Sequence, residues 1–222
     1  MDWGYCAALE LFDTKDIIWR EDFHLVWWEG LEATLSSYPK MYWVWLTKHV
    51  FNFCGNNVQQ YYWSNWAHLP KCKSCGTHDE YTMHICHCTD PGRDGLFHIT
   101  VRELCTWMVE TLGDHAVASM VEAYLLARGE TAMLSLMHST SIDVSVVCKQ
   151  SNHLGWDSLL EGRISSHWMV LISPLLQCQP KNLLPFLWGK QFITQLHNIV
   201  HKQWMYKNAY IHFKGKEGWT MP

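Results

Sequence analysis

Four of the nine cysteines and three of the fourteen histidines fall within the 17 residues from Cys72 to Cys88. This cluster constrains the fold more than any other feature. It reads Cys72-x2-Cys75-Gly76, then His78, His84, Cys86, His87 and Cys88. The spacing Cys72-x2-Cys75-x8-His84-x3-Cys88 is that of a structural zinc site. A C-x-x-C-G turn can direct two thiolates at one metal, and Gly76 lets the backbone pass close to the sulfurs. His84 and Cys88, four residues apart, share one side of a helical turn. Together they make a closed tetrahedral set with no position left for water. Cys86, His87 and His78 are surplus, and Cys86 or His78 can replace a member of the set in another arrangement. A catalytic zinc would keep an open position and a nearby general base such as Glu80. His78-Asp79-Glu80 fits the H-x-E of zinc deaminases, but no P-C-x-x-C follows it.

The rest of the chain can supply a core. Of 222 residues, 48% are apolar and 17% are charged, below the roughly one quarter usual for soluble proteins. Fourteen tryptophans, with the other aromatics, exclude overall disorder. No run of about 20 apolar residues exists, so no membrane span is expected. Asp2, Asp13, Lys15 and Asp16 spoil a secretory leader, which predicts an intracellular, reducing setting where clustered cysteines bind metal rather than pair.

Apolar spacing is mostly helical. Asp22 is a candidate cap for a helix with Leu25, Trp28, Leu31 and Leu35 on one face. Ser37 is a candidate cap for the next, with Met41, Val44 and Trp45 as its stripe. Residues 58–71 read as a packed loop. Thr100-Val-Arg-Glu103 reads as a capping box, and Gly113-Asp114 as a stop and a new start. Ile142–Val147 is the best strand candidate, though it has no evident partner. Helix resumes at Leu154 and runs towards Val170, and Pro174, Pro180 and Pro185 punctuate a linker. Trp188, Phe192, Leu196, Ile199, Val200 and Trp204 form the stripe of the last helix. The expectation is an all-α, irregular helical domain with an inserted small structural zinc knuckle. It divides into a helical segment at 1–67, a zinc insert at 68–98 and a C-terminal helical domain at 99–222.

The order of features around the cluster carries a resemblance. Tyr38-Pro39-Lys40 opens an aromatic stretch, Trp43 to Lys48. Gly55-Asn56-Asn57, a Trp-rich connector, Pro70-Lys71-Cys72, Cys75-Gly76, Asp79-Glu80, His84, Cys88 and Leu96-Phe97 follow. This resembles the zinc-binding region that follows the polymerase domain in reverse transcriptases of eukaryotic non-LTR retroelements. The match covers residues 36–98, and Lys73 departs from the Pro usual after the first cysteine. A vaguer echo of retroelement-derived reading frames lies at Gln150, Gly155-Trp156, Gly162 to Ser165, Trp168 and His201 to Asn208. The resemblance implies a post-polymerase segment contacting RNA or DNA, belonging to a larger polyprotein. The polymerase is absent, because no Y/F-x-D-D occurs. GxGxxG, Walker A, GxSxG and HExxH motifs are also missing, so no catalysis and no small-molecule substrate are expected.

The net charge of -4 hides an asymmetry. Residues 181–222 hold six lysines against the single Glu217. Lys190, Lys202, Lys207, Tyr210, Lys214 and Lys216 join positive charge to aromatic surface, which suits phosphate attraction and base stacking. The same lysines also suit the solvent face of an amphipathic helix. Trp28, Trp45, Trp156, Trp168, Trp188 and Trp204 read as core, while Trp63 and Trp66 read as packing the insert onto the helical body. The expected function is non-catalytic zinc-dependent binding of RNA or DNA. The alternatives are a protein-interaction module stapled by zinc and an inert remnant of a decayed element.

Overall fold

Pro91 fixes the start of the longest helix in the middle of the chain, and much else follows from it. The computed structural model describes residues 10–11, 18–51, 53–136, 144–179 and 183–213, without the side chains of 144–146, 150 and 210–213. Over these residues the fold is helical, and no strand occurs among them. The helices are α1 (Trp28–Leu35), α2 (Lys40–Val50), α3 (Asn57–Trp63), α4 (His84–His87), α5 (Pro91–Leu112), α6 (His115–Leu126), α7 (Val144–Leu160), α8 (His167–Gln177) and α9 (Pro185–Phe213). Short 3-10 turns occur at Phe23–Leu25 and Met133–Leu136. No helix among the described residues is long and apolar enough to cross a membrane.

Several element boundaries differ from the sequence expectation, each for a local reason. α5 starts at Pro91, not Thr100. Proline suits the first helical position, where its missing N–H costs nothing. Asp90 Oδ1 accepts the Arg93 N–H at 3.2 Å, as a capping side chain does. Thr100 therefore sits inside the helix, with its hydroxyl donating back to Leu96 O and Phe97 O at 3.0 Å each. Ser37 likewise donates to Thr34 O instead of capping α2, whose first residue is Lys40. Asp22 makes no side-chain cap bond to the Phe23–Leu25 turn, and α1 begins only at Trp28. Asn56 turns 57–63 from the expected loop into α3, because its Oδ1 accepts the Gln59 N–H at 2.8 Å.

Of the strand expected at Ile142–Val147, the described residues Val144–Val147 are helical. Ile142 and Asp143 lie outside the described residues, and Val144 opens α7. A lone strand would leave its backbone groups unpaired, whereas a helix satisfies them internally. Gly155, at φ +83°, breaks the regular geometry of α7 within its length. Pro174, read as part of a linker, lies inside α8. Asp114 behaves as read: its Oδ1 accepts from Ala116 N at 2.8 Å and Val117 N at 3.0 Å.

The chain forms two compact units that are not sequential. The first comprises Met1–Ser37 and Val101–His197, and the second Tyr38–Thr100 and Asn198–Pro222. The expected boundaries at 67 and 98 do not coincide with the limits of these units. In the first unit, Trp107, Trp188, Phe192 and Trp168 form a chain of ring contacts at 5.1–5.4 Å. Val101, Leu104, Met108, Val121, Leu125, Leu160 and Ile172 are also buried in this unit. Trp156 Nε1 donates to Leu125 O at 3.1 Å, which satisfies its one polar atom inside the core.

A buried polar knot closes the same unit. His197 is fully buried, and its Nε2 lies 2.9 Å from Glu161 O. Arg163 pairs with the Glu161 carboxylate and hydrogen-bonds Ser158 Oγ. Burial lowers the His197 imidazole to about 4. Its unfolded value is near 6.5, so the unfolded chain binds the extra proton between those limits. The stability His197 contributes is complete above about pH 6.5 and is lost as pH falls towards 4. The steepest slope is about 1.4 kcal/mol per pH unit. Burial pushes the Glu161 carboxyl up, with the opposite pH sign, so the histidine is isolated by difference. The urea midpoint should fall further between pH 7 and pH 5 in wild type than in His197→Gln. Equal falls would assign the pH dependence elsewhere.

Candidate metal centre

Three backbone contacts shape the segment that holds the cysteines. Lys71 and Asp79 form an antiparallel bridge. Cys72 N donates to His78 O at 2.8 Å, and Glu80 N to Pro70 O at 2.8 Å. Gly76 N donates back to Cys72 O at 2.8 Å, closing the turn between the two cysteines. Gly76 has φ +69°, and a Cβ there would meet nothing within 4 Å. Its role is therefore the left-handed turn, not a close approach of backbone to sulfur. The short α4 then carries His84 across from this turn, and Cys88 follows at its end in extended conformation.

These elements bring Cys72, Cys75, His84 and Cys88 together. One ligand atom from each lies within 4.8 Å of all the others. Cys72 Sγ and Cys88 Sγ are 3.8 Å apart, and Cys75 Sγ and His84 Nε2 are 3.5 Å apart. A disulfide would need about 2.05 Å. A tetrahedron with metal–sulfur bonds of about 2.3 Å and metal–nitrogen bonds of about 2.0–2.1 Å has S–S and S–N edges of about 3.8 and 3.5 Å. The donor atoms thus have the spacing of ligands around one small cation, and the residues fit a metal ion. His78, Cys86 and His87 are not members of this group. Cys86 is buried two residues beyond His84, and His78 is exposed with Nδ1 2.8 Å from Thr77 Oγ1.

The electrostatics favour anionic sulfur here. The hydrogen bond between Cys72 and Cys88 drives the two apart, with Cys72 well below the ordinary thiol value and Cys88 above it. One proton is in effect shared by the pair. Burial pushes Cys75 up, but hydrogen bonds led by the Thr77 hydroxyl bring it to about 6. Burial pulls His84 down, yet the Cys72 and Cys75 sulfurs raise it overall. The other buried thiols behave in the opposite way: burial pushes Cys54 and Cys148 up to about 11 and Cys105 up to about 12.

Beside the quartet, in the same unit, lies a charged cluster that the sequence reading missed. Glu80, Arg93 and Lys207 are all buried. Lys207 Nζ is 2.9 Å from Glu80 Oε1 and donates to Gly55 O at 2.9 Å. Arg93 Nη2 is 3.7 Å from Glu80 Oε2, an ion pair without a hydrogen bond. Asn57 N donates to Glu80 Oε1 at 3.3 Å, and Asn57 Nδ2 to Lys71 O at 2.6 Å, tying α3 to the knuckle. Gln203 Nε2 donates to Arg93 O at 3.1 Å. A signal for Lys207 was present. Steps of three and four from Ile199 and Val200 land on Gln203 and Lys207, so the buried stripe of α9 continues through two polar residues.

The basic residues therefore divide. Lys207 is a correction: its ammonium is buried on Glu80 and cannot meet a phosphate from solvent. Lys190 is half-buried in the first unit, and Lys202 is exposed in the second. The Tyr210 side chain, Lys214 and Lys216 lie outside the described residues. Of the tryptophans read as core, Trp45, Trp156, Trp168 and Trp188 are buried, while Trp28 and Trp204 are half-buried. Trp63 and Trp66 are corrections, being 63% and 62% exposed. Trp66 has φ 72° and packs edge-on against Tyr61 at 4.7 Å. No family model, curated protein or solved structure matches this chain.

Proposed function

We propose that the chain is a non-catalytic zinc protein, derived from a retroelement reverse-transcriptase polyprotein, that binds RNA or DNA. The observation that carries the reading is the closed Cys72, Cys75, His84 and Cys88 quartet. Three soft thiolates and an imidazole favour zinc over harder cations, and four protein ligands leave no position for reacting water. The metal then serves as a structural staple. The retroelement origin rests on the motif order from Tyr38 to Phe97, and an upstream polymerase frame in the genome is its direct test.

Two features support nucleic acid as the partner. The described residues of the second unit carry seven Lys/Arg against four Asp/Glu, and Lys40, Lys48, Lys71, Lys73 and Lys202 are exposed. Tyr62, Trp63 and Trp66 are exposed aromatic surface in the same unit. Lysines supply phosphate attraction, and aromatic rings accept bases of any sequence. Fluorescence anisotropy with labelled single-stranded RNA and DNA should show binding at low salt. The log–log salt slope should be about -2 or steeper, as expected when three or more phosphates are neutralised. The same exposed aromatics also fit a protein partner. Absence of binding at low salt would favour that second reading.

A further inference from the structure

We infer that the end of α3 and the turn after it form a platform for unpaired nucleic-acid bases. Tyr62, Trp63 and Trp66 are its stacking surfaces, and the chain therefore selects single strands over duplex. The inference deepens the nucleic-acid reading above and rests on it. Charge identifies the partner. No Asp or Glu occurs from residue 33 to residue 78, whereas Lys40, Lys48, Lys71 and Lys73 all fall there. The chain as a whole has a net charge of -4, so this long stretch without a carboxylate runs against its balance. All four lysines are exposed in the second unit. The stretch attracts a polyanion and offers no carboxylate to repel it. Asp79, just beyond it, is paired with Lys71 at 2.9 Å. Aromatic rings set among lysines without acids suit a nucleic acid better than an apolar protein partner.

The rings are held outward by the backbone. Trp66 and Asn65 have φ 72° and 49°. A bulky side chain seldom takes the left-handed region, and strain of this kind collects at binding sites. The turn is fixed by Ser64 N donating to Gln60 O at 2.9 Å, Trp66 N to Tyr61 O at 2.9 Å and Ala67 N to Ser64 O at 3.3 Å. Trp66 meets the half-buried Tyr61 at 4.7 Å and Tyr62 at 5.7 Å, both edge-on. Edge contacts steady a ring without laying another ring flat across its face. At the other end of α3, Val58 is buried and Asn57 Nδ2 donates to Lys71 O. The platform is thus ordered before a ligand arrives, which lowers the entropy lost on binding. Lys71 and Lys73 follow Trp66 by five and seven residues, so at most about 25 Å of backbone separates ring from charge. One short strand can meet both. Bases in a duplex are stacked on their neighbours and show a protein only their edges, whereas an unpaired base can lay its face on a ring.

The test is fluorescence anisotropy on the full chain with four labelled probes of equal length: oligo(U), oligo(dT), a DNA duplex and an abasic DNA strand. Wild type should bind both single strands at least about tenfold more tightly than the duplex or the abasic strand. Trp66→Ala and Trp63→Ala should each weaken oligo(U) and oligo(dT) by about 5–150-fold, the range for losing one base–ring stack. Trp66→Phe, which keeps a ring, should retain most of the affinity. Binding to the abasic strand and the log–log salt slope should stay at wild-type values in all three variants, because the phosphate contacts remain. Trp63 lies in the regular part of α3, which keeps the test usable if Trp66→Ala disturbs the turn. Equal wild-type affinity for duplex and single strands, full affinity in both alanine variants, or equal losses on the abasic strand would overturn the platform and leave nucleic-acid binding standing. Wild type that binds none of the four probes would overturn both.

Discussion

Cys75→Ser is expected to abolish tight zinc binding and unfold the knuckle between Pro70 and Asp90. The reason is the size of the segment and what holds it. Its backbone contacts are a single bridge and a few turn bonds, and its contribution to the core is Cys72, Ile85, Cys86 and Cys88 with the polar Glu80 and Thr82. Such a segment cannot repay its own ordering entropy. Zinc in small Cys/His sites supplies roughly 10–16 kcal/mol of apparent binding energy, which is folding energy when no site exists in the unfolded chain. Loss of one thiolate removes most of it. Proteolysis with and without chelator measures the effect: cleavage should concentrate in 70–90 in Cys75→Ser and in chelated wild type. Cys178→Ser is the control, since Cys178 is exposed and outside the quartet. Equal resistance in Cys75→Ser and Cys178→Ser would show that the knuckle stands without metal.

Trp188→Ala should be the most damaging single change in the first unit. The indole is fully buried and stacked between Trp107 at 5.2 Å and Phe192 at 5.1 Å. Its Nε1 donates to Thr111 Oγ1 at 2.9 Å, so it joins α9 to α5 by both packing and hydrogen bonding. Truncating such a side chain removes its buried area and leaves a cavity, for a cost of about 3–5 kcal/mol. Trp188→Phe keeps a ring between its neighbours and should cost far less, the lost hydrogen bond being worth about 1 kcal/mol. Urea unfolding of the two variants measures the difference. Similar midpoints would mean that the site collapses around alanine and that the ring stack is not a stability determinant.

The parts of the fold legible in the sequence are those set by near neighbours. The candidate quartet spans 17 residues, and its spacing pointed to Cys72, Cys75, His84 and Cys88 while leaving Cys86 and His78 as alternative members, which the structure keeps out of the group. The α9 stripe was legible because Trp188, Phe192, Leu196, Ile199 and Val200 follow the helical period. Thr100-Val-Arg-Glu103 misled because a capping box and a mid-helix threonine look alike, and only Pro91 upstream settles which is meant. The Glu80–Arg93–Lys207 cluster was not legible as a group. Lys207 meets Gly55 across 152 residues, and no local pattern records a contact of that range. Lysine at a stripe position was read as solvent-facing on its chemistry, whereas the carboxylate that makes its burial tolerable comes from the knuckle. The non-sequential units have the same origin, because α5 and α9 each supply residues to both.

If Cys72, Cys75, His84 and Cys88 hold one metal ion, the purified protein's metal content must show it. Protein expressed in zinc-replete medium and purified without chelator should carry a single equivalent of zinc on the Cys72, Cys75, His84 and Cys88 site. Replacement by cobalt should give the intense visible spectrum of a tetrahedral site with three sulfurs and one nitrogen. Zinc far below one equivalent, or a cobalt spectrum without thiolate charge-transfer bands, would contradict the account.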